Sequence, residues 1–273
     1  MKITNYYVIL YLQNNYNVGK AGTEAIMNYG LQLYSVRDTA EKDFEKALCE
    51  VSKLGYEYVE PAGFFGNSAE QVKEWLDKYN LKVSGTHSGF GHLEADFDAT
   101  VKYHKTIGNT RYIVPGVDTS TKEALDVAVA KFNKFGPMLA EHGIDLQYHN
   151  HHREFLPNVD GIYPDYYFWA KTNINFEVDT FWVYAADCNP LAVLEEYKSR
   201  LQCIHLKDGI KMFDEDAKRK FQGRALGEGT APVKDVIAKA KELGLVMVVE
   251  SEGLNPTGLE EVGRCADFLK KNG

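Results

Sequence analysis

Residues 122–150 read KEALDVAVAKFNKFGPMLAEHGIDLQYHN, and this stretch decides the fold. Its first two thirds repeat apolar residues at helical spacing, and its last third is a short apolar run of strand character. Gly143 lies between them. A glycine just past the last helical turn takes the left-handed conformation that turns the chain back into a strand. The same ending recurs as KLG at 53–55, TIG at 106–108 and ELG at 242–244, each time just before or at the start of an apolar run.

The unit repeats along the chain. Strands are expected at 30–35, 56–61, 81–87, 110–116, 144–150, 174–180, 201–208 and 245–252. Helical patterns follow them at 41–55, 68–80, 94–108, 122–143, 165–172, 190–200, 231–244 and 259–273. Strict alternation of this kind implies parallel strands joined by right-handed crossovers. At about 30 residues per unit it fits a single-domain α/β chain folded as a (β/α)8 barrel over residues 27–273. A doubly wound open sheet would more often carry a glycine-rich phosphate turn after its first strand. Here VRDTAEKD stands in that place.

The 273 residues suffice for a substantial core. A net charge of -8 argues against a nucleic-acid surface. The basic clusters KDGIK and DAKRK contain acids and read as solvated faces. Cys49, Cys188, Cys203 and Cys265 lack CxxC spacing, so they read as reduced thiols of a cytoplasmic protein. No apolar run approaches the ~20 residues of a membrane span. Residues 1–26 carry one short, Tyr-rich apolar patch, YYVILYL, and lack the features of a signal peptide. They read as an upstream extension ahead of a start at Met27, or as an extra strand or arm.

In such a barrel the chemistry sits at the C-terminal ends of the strands. Tyr34 and Arg37 follow strand one, Glu60 ends strand two and His87 strand three. His149 ends strand five, with His151 and Glu154 close behind. Asp179 ends strand six, His205 and Lys207 strand seven, Glu250 and Glu252 strand eight. Singly, such residues are usually caps or surface groups. Gathered at one mouth, the carboxylates would repel one another unless a cation neutralised them. Mixed carboxylate and imidazole donors suit Mn²⁺, Co²⁺, Zn²⁺ or Fe²⁺; Mg²⁺ is less drawn to imidazole. Within FEVDT, Glu177 and Asp179 share a side, and Asp179 is preferred because it lies nearer the mouth.

The strings YGLQLYSVRD, YHNHHREF, FEVDTFW, IHLKDG, ALGEGTAPVKDVI and VVESE resemble the xylose isomerase-like TIM-barrel family of sugar phosphate isomerases and epimerases, from about Met27 to the C-terminus. The resemblance implies one divalent metal ion, Mn²⁺ first among the candidates, held by Glu, Asp, His and Glu from strands five to eight. Asp179, His205 and Glu250 match three of these. The usual strand-five glutamate is replaced by His149. Either His149 is the ligand, or Glu154 supplies it and His149 becomes an acid/base group. The second alternative is adopted, giving Glu154, Asp179, His205 and Glu250 as ligands.

The implied chemistry is proton abstraction beside a metal-polarised carbonyl, giving an enediolate. Returning the proton elsewhere isomerises or epimerises a sugar. Expelling a β-substituent makes the enzyme a dehydratase or lyase of a keto-sugar, keto-glycoside or inosose, which the strand-five histidine makes plausible. Glu154, Glu250, His149 and Lys207 are the catalytic candidates. Glu60, His87 and His151 are candidates for sugar hydroxyls, and Trp182, with Tyr184, for a pyranose face. The 210–230 insertion reads as a long loop on the active face, a lid or clamp. Within it GEGT, at 227–230, offers an anion-binding turn. The expected partner is a small sugar or sugar derivative, with no nucleic acid or membrane; a homo-oligomer is compatible with the sequence. An endonuclease-type phosphodiesterase would need a basic groove, and a silent sugar-binding barrel would bind no ion.

Overall fold

The computed structural model describes residues 29–213 and 219–273. The readings of residues 1–26 and of a start at Met27 lie outside them. Strands β1 (Tyr29–Gln32), β2 (Tyr58–Glu60), β3 (Lys82–Val83), β4 (Thr86–His87), β5 (Arg111–Val114), β6 (Asp145–His149), β7 (Asn175–Asp179), β8 (Leu201–Phe213), β9 (Arg219–Arg224) and β10 (Val246–Glu250) follow in chain order. The spatial order is β3-β2-β1-β10-β8-β7-β6-β5-β4, with every neighbouring pair parallel. This is a nearly closed barrel ringed by helices, the TIM-barrel fold.

The expected third strand is broken into β3 and β4 at Ser84 and Gly85, and the barrel closes across that break. β3 pairs only with β2, and β4 only with β5. A Cβ on Gly85 would meet Ile113 Cδ1 at 2.5 Å and Glu60 Oε2 at 3.0 Å. The glycine therefore makes room for a carboxylate inside the barrel.

Helix boundaries follow local chemistry. Asp43, Ser68, Asp96, Thr121, Asn189 and Thr257 each accept a backbone N–H at a helix N-cap. Gly55, Gly108, Gly143 and Gly244 all take positive φ, between 68° and 96°. The four repeated glycine endings do the work their positions predict.

The 210–230 region departs from the expected loop. β8 runs on past the barrel to Phe213 and pairs antiparallel with β9. Gly209 and Gly223 face each other in this hairpin. A Cβ on Gly209 would strike the Phe181 ring at 2.7 Å, and one on Gly223 the Gly253 nitrogen at 2.8 Å. The glycines thus let the hairpin press against the mouth.

Alternation along the strands sorts two environments. Leu31, Val59, Tyr112, Leu146, Tyr148, Phe176, Val178, Ile204, Leu206, Met247 and Val249 join the apolar core under the helices. The alternate residues Gln32, Glu60, Gln147, His149, Glu177, Asp179, Cys203, His205, Lys207 and Glu250 are also buried. The barrel interior is therefore polar where branched aliphatic layers are usual.

Phe132 is fully buried, its ring 5.0 Å from Phe90, 5.4 Å from Phe168 and 5.6 Å from Tyr148. Phe132→Ala should lower unfolding free energy by about 3–5 kcal/mol in a denaturant titration. Asp165 is buried in the helix Pro164–Lys171 and accepts the Tyr197 hydroxyl. Burial pushes its carboxyl up to about 7, against about 3.9 in an unfolded chain. The folded state holds that proton more tightly, so stability from this group is complete at low pH and is lost as pH rises towards 7. Asp165→Asn should flatten that fall between about pH 4 and 7, measured as unfolding free energy against pH.

Candidate metal centre and active site

β6, β7, β8 and β10 bring His149, Asp179, His205 and Glu250 together at the barrel mouth. One donor atom from each lies within 4.8 Å of the others, and all four are buried. His205 Nδ1 faces Glu250 Oε2 at 3.2 Å and Asp179 Oδ2 at 3.9 Å. Asp179 Oδ2 is buried without a hydrogen-bond partner. Lys207 Nζ stands 3.8 Å from it, an ion pair beyond hydrogen-bond reach, so the oxygen still lacks the close cation or proton that a sealed carboxylate needs. Two imidazoles and two carboxylates form a donor set suited to a divalent transition ion, so these residues fit a metal.

The electrostatics agree. Burial raises the Asp179 carboxyl to about 7, although Lys207 opposes this. Burial and the neighbouring His205 hold the His149 imidazole well below its ordinary value, so it is neutral and able to ligate. Burial opposes ionisation of Glu250 too, but Lys207 and His205 more than offset it and hold its carboxyl well down. Lys207 is 1% exposed and bonds Glu250 at 3.0 Å and Glu252 at 2.6 Å. Burial lowers its pKa, yet Glu250, Asp179 and Glu252 together raise it, so it stays cationic.

Glu154 is placed elsewhere than expected. Its carboxylate accepts from Tyr148 Oη at 2.8 Å, the His151 backbone N–H at 2.9 Å and Arg153 Nε at 3.0 Å. Three donors hold it at the base of the turn after β6, outside the cluster. His149 takes the strand-five place instead. Asn150 contributes from the same stretch: its Oδ1 accepts from the Asp179 N–H at 3.0 Å, pinning the end of β7.

The sugar-hydroxyl candidates Glu60 and His87 are engaged with their neighbours. Glu60 is fully buried and accepts from Gln32 Nε2 at 2.8 Å, with His205 Nε2 at 2.8 Å and His87 Nε2 at 3.1 Å. His87 Nε2 lies 2.9 Å from Glu177 Oε2, and its side chain keeps some exposure. Glu177 is the residue that strand reading passed over. The alternation in FEVDT puts it beside Asp179, and the structure has both side chains inside the barrel.

Trp182 lines the mouth. Lys207 Nζ sits 4.5 Å over its ring, and the His151 ring lies 5.7 Å away. Its Nε1 is buried without a hydrogen-bond partner. Phe221, on β9, packs edge-on against the indole at 5.0 Å. Burial lowers the His151 imidazole to about 4, so it is neutral near pH 7. Tyr184 instead packs beneath the hairpin, its ring 3.9 Å from Lys211 Nζ.

The GEGT turn is not an open anion site. The Asp208 carboxylate already accepts the N–H groups of Gly209, Gly227, Gly229 and Ala231, at 2.8, 2.9, 3.0 and 3.1 Å. The chain supplies its own anion and staples the 225–231 turn to β8. Asp208→Ala should speed hydrogen exchange at Gly227, Gly229 and Ala231, measured by mass spectrometry or NMR, and leave the far side of the barrel unchanged.

No disulfide forms among the described residues, and no described helix is long and apolar enough to cross a membrane. Residues 48–272 match the family model described as the xylose isomerase-like TIM barrel. An inosose dehydratase of Mesomycoplasma hyopneumoniae is 22% identical over 264 residues, covering 83% of this chain and 88% of its own. One of Clostridium beijerinckii is 22% identical over 191 residues, and the match spans only 64% of its length and 62% of this chain. Among solved structures, one described as a sugar phosphate isomerase/epimerase from Parabacteroides distasonis superposes with a TM-score of 0.73. It is 23% identical and covers 92% of this chain and 96% of its own.

Proposed function

The chain belongs to the xylose isomerase-like TIM-barrel family, whose members include isomerases, epimerases and dehydratases, and from that premise we propose that it is a metal-dependent enzyme that enolises a keto-sugar or ketocyclitol and eliminates a β-substituent. The observation that carries this reading is the withdrawal of Glu154 into its hydrogen bonds, which leaves His149 in the strand-five place. Epimerisation needs proton transfer on both faces of the substrate. Elimination needs one base, which can hand its proton on to the departing oxygen. The likeness to inosose dehydratases supports the same choice.

His149, Asp179, His205 and Glu250 would hold one divalent ion, Mn²⁺ foremost, with Co²⁺, Zn²⁺, Fe²⁺ and Mg²⁺ as alternatives. The ion would polarise the substrate carbonyl and so acidify the neighbouring C–H. Glu250, ionised at the mouth, takes that proton. Lys207 donates to the oxygen on which negative charge develops. As the C–O bond to the β-substituent breaks, the proton returns to that oxygen, leaving an unsaturated ketone. Trp182 and Phe221 pack along one wall of the mouth, where Trp182 offers its indole N–H to a hydroxyl. His151, neutral and beside it, is a second hydroxyl partner.

A second reading is a 1,2-isomerase, in which Glu250 returns the proton to the adjacent carbon on the same face while the hydroxyl proton passes to the former carbonyl oxygen. It uses the same single base, so the geometry favours it over epimerisation. Metal-loaded protein incubated in D₂O with inososes, ketohexoses and 3-keto-glycosides separates the outcomes by NMR. The elimination reading expects an unsaturated product. Deuterium in recovered sugar with no such product sinks that reading and selects isomerisation. Glu250→Gln should lower turnover about 10²–10⁴-fold with either substrate class. Unchanged turnover would remove Glu250 from the mechanism.

A further inference from the structure

We propose that Glu60 and Glu177 are positioning residues that fix the proton on the far nitrogen of His205 and so aim its near nitrogen at the metal centre. The inference rests on reading that centre as a metal site.

His205 joins two layers. Its Nδ1 faces Glu250 and Asp179 at the mouth. Its Nε2 faces Glu60 Oε1 at 2.8 Å and Glu177 Oε2 at 3.2 Å, one layer deeper. A neutral imidazole has one N–H and one lone pair. Nε2 has the shortest contact, 2.8 Å to Glu60, and a second carboxylate at 3.2 Å. The Glu250 oxygen 3.2 Å from Nδ1 is one a metal would engage, so with an ion bound the N–H stays on Nε2 and the lone pair on Nδ1. His149 Nδ1 lies 3.4 Å from the same Glu177 Oε2 without a well-aligned hydrogen bond, so the positioning role is assigned at His205 alone. A carboxylate behind a ligating histidine fixes tautomer and ring orientation and raises ligand basicity.

The deep layer is built for this. Glu60, Glu177 and His205 are fully buried, so water cannot replace the carboxylates as acceptors. His87 Nε2 spans Glu60 at 3.1 Å and Glu177 at 2.9 Å and ties the two together. Gln32 Nε2 donates to Glu60 Oε1 at 2.8 Å, and Cys203 Sγ lies 3.5 Å from Glu177 Oε1. The glycine break between β3 and β4 clears the space that Glu60 occupies. Glu60 and Glu177 are sealed against His205, so their effect on chemistry runs through that histidine.

The test compares wild type with Glu60→Gln and Glu177→Gln, each checked for folding by circular dichroism without metal. Mn²⁺ affinity is measured by chelator competition, and ions per chain by elemental analysis. Wild type should bind one ion, and each variant one ion about 10–100-fold more weakly. Folded variants that bind Mn²⁺ as wild type does would overturn the positioning role while leaving the metal centre standing. Two ions in wild type, one of them lost in Glu177→Gln, would make Glu177 a ligand and overturn it equally. Wild type that binds no ion would fell the metal reading itself. Where a variant does not fold, ¹⁵N-histidine NMR of Zn²⁺-loaded wild type gives the answer. A proton on Nε2 of His205 supports the inference, and a proton on Nδ1 overturns it.

Discussion

The constraint on which the structure depends is the sealing of charged groups inside a closed barrel. Glu60, Glu177, Asp179, His149, His205, Lys207 and Glu250 sit where such barrels usually pack branched aliphatics, each at 5% exposure or less. Burying a charge without a partner costs far more than one residue's packing can return. Each group must therefore be met by another. Glu177 is met by His87, His149 and His205, and these histidines more than offset its burial and hold it ionised. Glu250 is met by Lys207. Lys207 also stands 3.8 Å from Asp179 Oδ2, an oxygen that has no hydrogen-bond partner and so leaves room for a closer cation.

This constraint links fold to chemistry. The apolar core between barrel and helices contains the edge-to-face cluster of Phe90, Phe132, Tyr148 and Phe168 and packs the outer faces of the strands. The interior is then free to be polar. The mouth then gathers donors that fit an ion, and Glu60 and Glu177 stand behind His205. The hairpin of β8 and β9 places Phe221 against Trp182, and Asp208 ties the returning turn to β8. Rigid elements thus carry the reactive groups, and the connection that looks loose in sequence is stapled by three N–H bonds, from Gly227, Gly229 and Ala231, to the Asp208 carboxylate.

Much of this was legible in the sequence, for identifiable reasons. The helix–glycine–strand unit is a local signal, and it correctly marked the barrel. Asp179, His205 and Glu250 could be placed because strand ends share one mouth. Glu154 instead closes a capping box on the His151 N–H across the i, i+3 spacing of HHRE and takes the Tyr148 hydroxyl, a local turn signal that competes with the ligand reading. The partners of Glu60 and His87 lie on other strands, which position within one strand does not reveal. The hairpin was read as loop because β8 outruns its barrel segment, and the pairing of Gly209 with Gly223 is visible only once β9 lies beside it. Glu177 was within reach: alternation put it beside Asp179, and only the preference for the mouth passed it over.

The most direct measurement is a crystal soaked in Mn²⁺ and recorded at an energy where manganese scatters anomalously. The account predicts one strong peak at the barrel mouth, about 2.0–2.3 Å from donor atoms of His149, Asp179, His205 and Glu250. A peak bonded to Glu154 with His149 turned away, or no peak between these four side chains, would contradict it.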